Sequence, residues 1–279
     1  MFHVKPMSKA DFRFATKLAN TMNWNMANED FQFMISLEPE GCFVAFHGRE
    51  RVGIATSISF GKVGWFGNLI VKEKYRKKGA GKLLVRHSIK YLQARGAQTI
   101  GLYAYPSLAD FYGNLGFKVD EDFAVLQAKD LGSLASEGLP RVTRQQIKAI
   151  EKFDRQSFGG DRQKLLESII LEKGNLSYFK SEENEVAGYV AATVYEKMVW
   201  IGPLICREGK VDVAISLLRT VLSNVAGKSV YLVLPRKEAA LADMLFSAGF
   251  KEDFSVSRMF LGQAVAKNCI YLAESLERG

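Results

Sequence analysis

The amino-acid sequence predicts an α/β (α+β) protein of two tandem domains, each a mixed, mainly antiparallel sheet flanked by helices. Three observations carry that expectation. The chain has 279 residues, 48% of them hydrophobic and 24% charged, about twice an ordinary domain and apolar enough for each half to build its own core. Runs with strand alternation and runs with helical spacing follow one another in the same order in both halves. Local detail repeats too: Leu102-Tyr-Ala-Tyr-Pro106 with Leu115-Gly-Phe-Lys118 is echoed by Leu232-Val-Leu-Pro235 with Ala248-Gly-Phe-Lys251, the mark of an internal duplication.

In the first half, residues 9–21 and 28–37 carry helical spacing, with Ser8 and Asn28 placed to act as N-caps. Three apolar and β-branched runs follow, at 42–46, 52–60 and 63–71, and the short turns between them predict antiparallel strands. A basic, glycine-containing loop then opens an amphipathic helix over 79–95, closed by Gly96 in the C′ position. A strand at 99–104, a short helix at 106–115 opened by Pro106, and a closing strand at 123–128 complete this half. The stretch 130–140 is rich in small and turn residues and lacks either periodicity, which predicts a linker at 133–140 between domains 1–132 and 141–279. Beyond it the expected order is a helix at 161–172, strands at 176–180, 186–195 and 198–206, and a helix at 210–226. A strand at 229–234, a helix at 238–248, a strand at 255–261 and a last helical segment at 265–276 follow.

Lys and Arg outnumber Asp and Glu by 38 to 30, a net charge of +8. The whole excess sits between Lys72 and Arg95, where nine basic residues face one acid, Glu73. That concentration suits one compact anion better than a long nucleic-acid polymer. Cys42, Cys206 and Cys269 are scattered, as are His3, His47 and His87, so neither zinc-ligand spacing nor a disulfide framework is visible, and a metal-free protein of a reducing compartment is expected. The first residues lack the apolar core of a signal peptide, and no run approaches the roughly 20 apolar residues that span a bilayer. A cytoplasmic location without a membrane partner is the corresponding expectation.

The stretch Leu69-Ile-Val-Lys-Glu-Lys-Tyr-Arg-Lys-Lys-Gly-Ala-Gly-Lys82 runs from a strand through a glycine loop into a helix. Arg76-x-x-Gly79-x-Gly81 puts small residues where the backbone turns, so main-chain N–H groups can point at an anion on the helix N-terminus. This is the pattern of a pyrophosphate cradle. A dinucleotide fingerprint is excluded, because Leu84 stands where its third glycine belongs and no acid lies about 20 positions on. The G-x-x-x-x-G-K-[ST] phosphate loop is absent from the sequence.

These residues resemble the GNAT superfamily of N-acetyltransferases. Arg76-Lys-Lys-Gly-Ala-Gly81 stands at the family's [QR]-x-x-G-x-[GA] loop, and Phe111-Tyr-Gly-Asn-Leu-Gly-Phe117 is similar to its Y-x-x-x-G-F segment. The resemblance implies that the loop, Arg76, Lys77, Lys78, Gly79, Ala80, Gly81 and Lys82, holds the pyrophosphate of acetyl-CoA. It also implies that backbone groups of Leu69, Ile70 and Val71 pair with the pantetheine arm, and that Ser107 and Tyr112 join the cofactor-binding set. Tyr112 falls where the family often has a tyrosine that protonates the departing thiolate; Tyr105 stands where an asparagine is usual. Glu29 and Asp30 lie in the segment that borders the acceptor in the family, which makes Asp30 the expected general base and Trp24 an aromatic wall of the substrate site.

The chemistry fits these parts. Acyl transfer to an amine needs donors that polarise a thioester carbonyl, a neutral amine, and an acid for the leaving sulfur. No Cys/His or Ser/His/Asp set is visible, which favours direct attack in a ternary complex over an acyl-enzyme. The second half departs from the motif: Ile205-Cys-Arg-Glu-Gly-Lys210 contains no R-x-x-G-x-G loop, and Leu245 stands where the first half has Tyr112. The whole chain resembles a tandem arrangement in this superfamily, an active first domain followed by a degenerate one, and Phe158-Gly-Gly-Asp-Arg162, Gly202-Pro203 and Arg258-Met-Phe-Leu-Gly262 resemble that group as well. The resemblance implies that the second domain shapes the acceptor cleft. The alternative is a non-catalytic acyl-CoA sensor or interaction module. Open at this level are the acceptor, a small molecule or a peptide amine, and the length of the acyl group.

Overall fold

The structure is a computed structural model that describes residues 1–129, 131 and 137–279; half of the expected linker at 133–140, residues 133–136, lies outside the described residues. The first half runs β1 (Phe2–Pro6), α1 (Phe12–Ala19), α2 (Asn28–Leu37), β2 (Cys42–His47), β3 (Glu50–Phe60), β4 (Val63–Val71), α3 (Ala80–Ala94), β5 (Thr99–Ala104), α4 (Ala109–Gly113) and β6 (Lys118–Ala128). The second runs α5 (Ile147–Phe158), α6 (Gln163–Ile170), β7 (Leu176–Glu182), β8 (Glu185–Val194), β9 (Met198–Arg207), α7 (Val211–Leu222), β10 (Ser229–Pro235), α8 (Ala239–Ser247), β11 (Lys251–Leu261) and β12 (Cys269–Leu272). No helix among the described residues is long and apolar enough to cross a membrane.

Ser8 takes the N-cap position before the α1 region in extended conformation, but the capping oxygen is that of Asp11, whose Oδ2 accepts the Ser8 amide and hydroxyl at 2.8 and 2.7 Å. Asn28 does not cap α2. Ala27 takes the extended N-cap conformation, Asp30 Oδ2 accepts the Ala27 amide at 2.7 Å, and Asn28 Oδ1 instead accepts the Thr16 hydroxyl at 2.9 Å. A carboxylate in the first turn does the capping, and the asparagine ties α2 to α1.

The helix expected at 265–276 is also corrected. Cys269–Leu272 forms β12, antiparallel to β9 with Cys269 opposite Arg207 and Leu272 opposite Leu204, and all four residues are buried. A short apolar run buried on both faces has no periodicity to separate strand from helix, and the ladder offered by β9 decides.

Among the described residues the strands form a single 12-stranded sheet, ordered β1-β2-β3-β4-β5-β11-β6-β10-β9-β8-β7, with β12 joined to β9. Every pairing is antiparallel except β4 with β5 and β10 with β9, which occupy equivalent places in the two halves. The halves exchange strands. β11 lies between β5 and β6, and β6 pairs on its other side with β10. One apolar cluster packs α3 and α4 against the first half of the sheet, and another packs α7 and α8 against the second. A third, containing Trp65, Phe158, Tyr189, Phe260 and Tyr271, joins the two halves on the opposite face.

Candidate active site

Strands β4 and β5 leave the loops at their start side by side but pair for only three positions, Val63 with Thr99, Gly64 with Ile100 and Trp65 with Gly101. Beyond Trp65 they diverge, while β4 stays paired to β3 as far as Val71 opposite Gly53. Among the described residues the edge of β4 facing β5 is therefore left without a partner strand along Phe66–Val71. An extended ligand with amide groups can complete such an edge. The ladder to β3 is irregular between Ile54 and Thr56, and opposite that point Asn68 takes the left-handed conformation, φ 49°, with its Nδ2 donating to Thr56 Oγ1 at 3.2 Å. Asparagine is among the few side chains that accept this backbone. The resulting bulge re-aims the main chain at Asn68 and Leu69 within the slot.

At the far end of β4 the loop carries Lys77 at φ 58° and Gly79 at φ 97°, and Gly79 is the N-cap of α3 without a side-chain cap. Leu83 is the first amide from here on to find a backbone acceptor, Gly79 O at 3.0 Å. Among the described residues the amides of Lys77, Lys78, Gly79, Ala80, Gly81 and Lys82 thus find no acceptor at the positive end of a 15-residue helix. The side chains of Lys77, Lys78 and Lys82 are exposed around them. Gly81 is not required by the fold: a Cβ there would meet only Phe111 at 3.6 Å and Val71 at 3.8 Å, ordinary contacts, so the space in front of the helix is what the glycine preserves. Arg76 folds back, its Nε donating to Val71 O at 3.0 Å, and braces the loop against the end of β4.

Tyr112 lies on α4, 5% exposed, its ring held edge-on by Phe66 of β4, Phe111 and Phe117. Desolvation pushes its hydroxyl pKa well above the ordinary tyrosine range, so the phenol keeps its proton. Ser107 sits in the turn between β5 and α4, in a single 3-10 turn over Pro106–Leu108.

The other face of the sheet holds the remaining expected residues. Trp24 Nε1 donates to Tyr105 Oη at 3.1 Å, and Tyr105 packs on Phe254 of β11 at 5.6 Å, giving an aromatic wall built from both halves. Asp30 stands nearby on α2, with Oδ2 committed to the Ala27 amide. Sequence reasoning missed the segment that crosses this face after β12. Trp200 Nε1 donates to Glu274 O at 2.6 Å, Trp65 Nε1 to Leu276 O at 3.4 Å, and Arg162 to Gly279 O at 3.2 Å. Glu274 is held by Arg278 through both oxygens, at 2.7 and 3.0 Å, and Glu277 lies against Gly67 of β4. The one signal in the sequence is the pair of acids in Glu274-Ser-Leu-Glu277, unremarkable without the contact.

The second half contains the same kind of slot, closed from within. β9 and β10 pair in parallel from Met198 with Ser229 to Ile201 with Leu232 and then separate, and β12 enters beside β9 along Leu204–Arg207. The place of an extended ligand is taken by the chain itself. A turn, Arg207 to Lys210, leads straight into α7, with no phosphate loop.

Residues 11–117 match the family model described as acetyltransferase (GNAT) family, and residues 150–271 match that of an acetyltransferase (GNAT) domain. A holothin acyltransferase of Pseudoalteromonas sp. (strain SANK 73390) is 23% identical over 280 residues, covering 99% of this chain and 94% of that protein. Among solved structures, a putative acetyltransferase from Pyrococcus horikoshii superposes with a TM-score of 0.80 at 20% identity, covering 100% of this chain and 96% of its own. A tandem GNAT protein from the clavulanic acid biosynthesis pathway superposes at 0.62 with 13% identity, covering 95% and 100%. Both likenesses span the two halves, and at these identities they speak for the fold.

Proposed function

Because the chain belongs to the GNAT superfamily and is a tandem GNAT-type acyltransferase, we propose that its first half binds acetyl-CoA and transfers the acetyl group to a primary amine by direct attack in a ternary complex. The observation that carries this reading is the parallel β4–β5 pair that opens after three positions, with unspent helix amides at one end and a protonated phenol beside it. Leu69, Ile70 and Val71 offer main-chain groups along the open edge. Arg76 to Lys82 supply amides and cationic side chains suited to a pyrophosphate. The thioester supplies the activated acyl group and a thiolate leaving group. Tyr112 hands its proton to the departing sulfur, and the re-aimed amides at the Asn68 bulge are oriented to polarise the carbonyl. Trp24, Tyr105 and Asp30 border the entrance of the amine, and the second half, its own slot filled by β12, serves as the acceptor wall.

Calorimetric titration of acetyl-CoA tests the donor site. Micromolar binding is expected for the wild type, a modest loss for Gly81→Ala, and none for Gly81→Glu, whose charge and bulk enter the cradle. A folded wild type that binds no acetyl-CoA overturns the reading.

A further inference from the structure

We propose that Glu277 accepts the proton of the acceptor amine, and that the acceptor is a primary ammonium compound with a flat apolar body; this rests on the β4–β5 slot being the site of transfer. The strands that border the slot, Val63–Val71 and Thr99–Ala104, contain no Asp, Glu or His, so neither can supply a base. Asp30 spends one oxygen on the α2 cap as Glu277 does on Arg278, so it is position against β4 that separates the two candidates.

Glu277 lies at the point of reaction. A Cβ added to Gly67 would fall 2.5 Å from Glu277 Cα and 2.6 Å from its Cβ, so the segment rests directly on β4, two residues past the last β4–β5 pair, Trp65 with Gly101. Successive residues of a strand face opposite sides of the sheet. Phe66 packs on the Tyr112 ring, whereas Trp65 donates to Leu276 and Gly67 touches Glu277. Proton donor and proton acceptor therefore stand on opposite faces of the same opening, so that the entering amine and the departing thiol can be served by different groups without competing for one.

The carboxylate is available. Arg278 engages Glu277 Oε1 at 2.8 Å, and the Glu277 side chain is 22% exposed, whereas Glu274 is 1% exposed with both oxygens on Arg278. The groups that face Glu277 are Arg278 and Glu274 of its own segment, Asp30 of α2 and Tyr195 of the β8–β9 turn. Burial raises the Glu277 carboxyl above the ordinary glutamate range; Arg278 opposes this, and Glu274 and Asp30 add to it. Three carboxylates against one guanidinium favour a cation although the chain as a whole is basic. Phe33, Tyr105 and Phe254 share one apolar cluster with Leu276 of the same segment; Trp24 donates to Tyr105, and Arg278 lies over the Phe33 ring at 5.2 Å. An ammonium group on an apolar, planar body complements both features.

The balance is as follows. The ammonium gives one proton to Glu277, which passes it to solvent. The freed nitrogen lone pair adds to the thioester carbonyl to form the C–N bond, the carbonyl oxygen taking the π electrons; as this tetrahedral adduct collapses the C–S bond breaks and the sulfur takes the Tyr112 proton. The second proton lost from nitrogen restores Tyr112 through water, leaving amide, free thiol and one proton in solution.

Phenethylamine is the probe, with thiol release from acetyl-CoA as the readout and calorimetry as the control for donor binding. The wild type is expected to acetylate it with a rate that rises with pH through the raised Glu277 titration. Glu277→Gln should bind acetyl-CoA as the wild type does, lose about 100-fold or more in kcat/KM, and lose the rising acidic limb; Glu277→Asp should recover part of both. A purely structural role would leave the limb in place. Wild-type kcat/KM and an unchanged limb in Glu277→Gln, or loss of the limb in Asp30→Asn instead, overturns Glu277 as the base. A wild type that binds acetyl-CoA but leaves phenethylamine untouched overturns the acceptor class. Failure to bind acetyl-CoA overturns the acyltransfer reading of the slot itself, a separate outcome.

Discussion

Tyr112 is packed like a core residue, yet its hydroxyl makes no hydrogen bond to the protein among the described residues, and this separates its packing from its proton. Tyr112→Phe keeps every ring contact and removes one oxygen, so its thermal midpoint should stay within a few degrees of the wild type while kcat falls about 100-fold. Unchanged kcat would withdraw the acid role. As the proposed acid the phenol would act only while protonated, and desolvation raises its pKa, so activity should be lost only as pH rises beyond the usual tyrosine range of about 10. A kcat profile with an alkaline limb at the ordinary value would contradict this. These residues were legible because their signal is local: Arg76 to Gly81 and Tyr112 sit in short stretches whose spacing is itself the motif. Glu277 was not. It meets β4 across a fold in which 211 positions separate Trp65 from its partner Leu276, and no window of sequence contains both sides of that contact.

The elements differ in the same way. Strands β2 to β5 were readable because alternation and tight turns are local, and α3 because an amphipathic stripe ends at a glycine with φ 89°. The helix α5 went unseen because its buried face includes Glu151 and Asp154 beside Ile147, Ile150 and Phe158. Asp154 is tolerated there because Arg162, itself 1% exposed, binds it at 2.6 Å and the Tyr189 hydroxyl donates to it, partners that both lie beyond the helix. Edge strand β1 pairs with β2 alone and is too short and mixed to announce itself. Two predictions belong here. A Cβ on Gly202 would fall 2.0 Å from Ala273 O, so Gly202→Ala must displace the segment that carries Glu277. Acetyl-CoA binding should hold within about twofold while kcat drops at least about tenfold; equal losses in both would mean that the segment supports the donor site instead. Asp11 is the second case. Burial pushes its carboxyl up, but Ser8 and Arg51 outweigh this and hold it below the usual value of 3.8. A folded-state pKa below the unfolded one gives stability that is present above the unfolded value and lost as pH falls through the folded one. Asp11→Ala should therefore cost about 0.5–2 kcal/mol at neutral pH and progressively less in acid, as read by urea unfolding at several pH values; a pH-independent cost would refute the assignment.

At the scale of the whole molecule, duplication was visible in the sequence and the exchange of strands was not, since alternation marks a strand without naming its neighbours. β6 has both partners, β10 and β11, in the second half, and β11 has both, β5 and β6, in the first. The closing strand of each half thus completes a sheet it does not belong to by sequence. The degenerate half in turn spends its empty slot on β12, and β12 leads directly into the segment that reaches the first half's opening. Loss of the phosphate loop and of a tyrosine at 245 then follows from occupancy: no ligand enters a slot the chain already fills. Such a molecule should unfold as one unit. A chain of residues 1–129 would leave β5 with a bare edge and β6 with no partner, and exposed edges and unburied faces invite aggregation. We therefore expect residues 1–129 alone, and 137–279 alone, to be insoluble or to bind hydrophobic dye without a cooperative transition, whereas the full chain melts in a single step with coincident signals from different probes. Co-expression of the two pieces should restore a soluble complex, because each supplies the strand the other lacks. If residues 1–129 fold cooperatively as a monomer and bind acetyl-CoA with full affinity, the exchanged strands are dispensable, and the second half would be an attachment to the catalytic sheet instead of part of it.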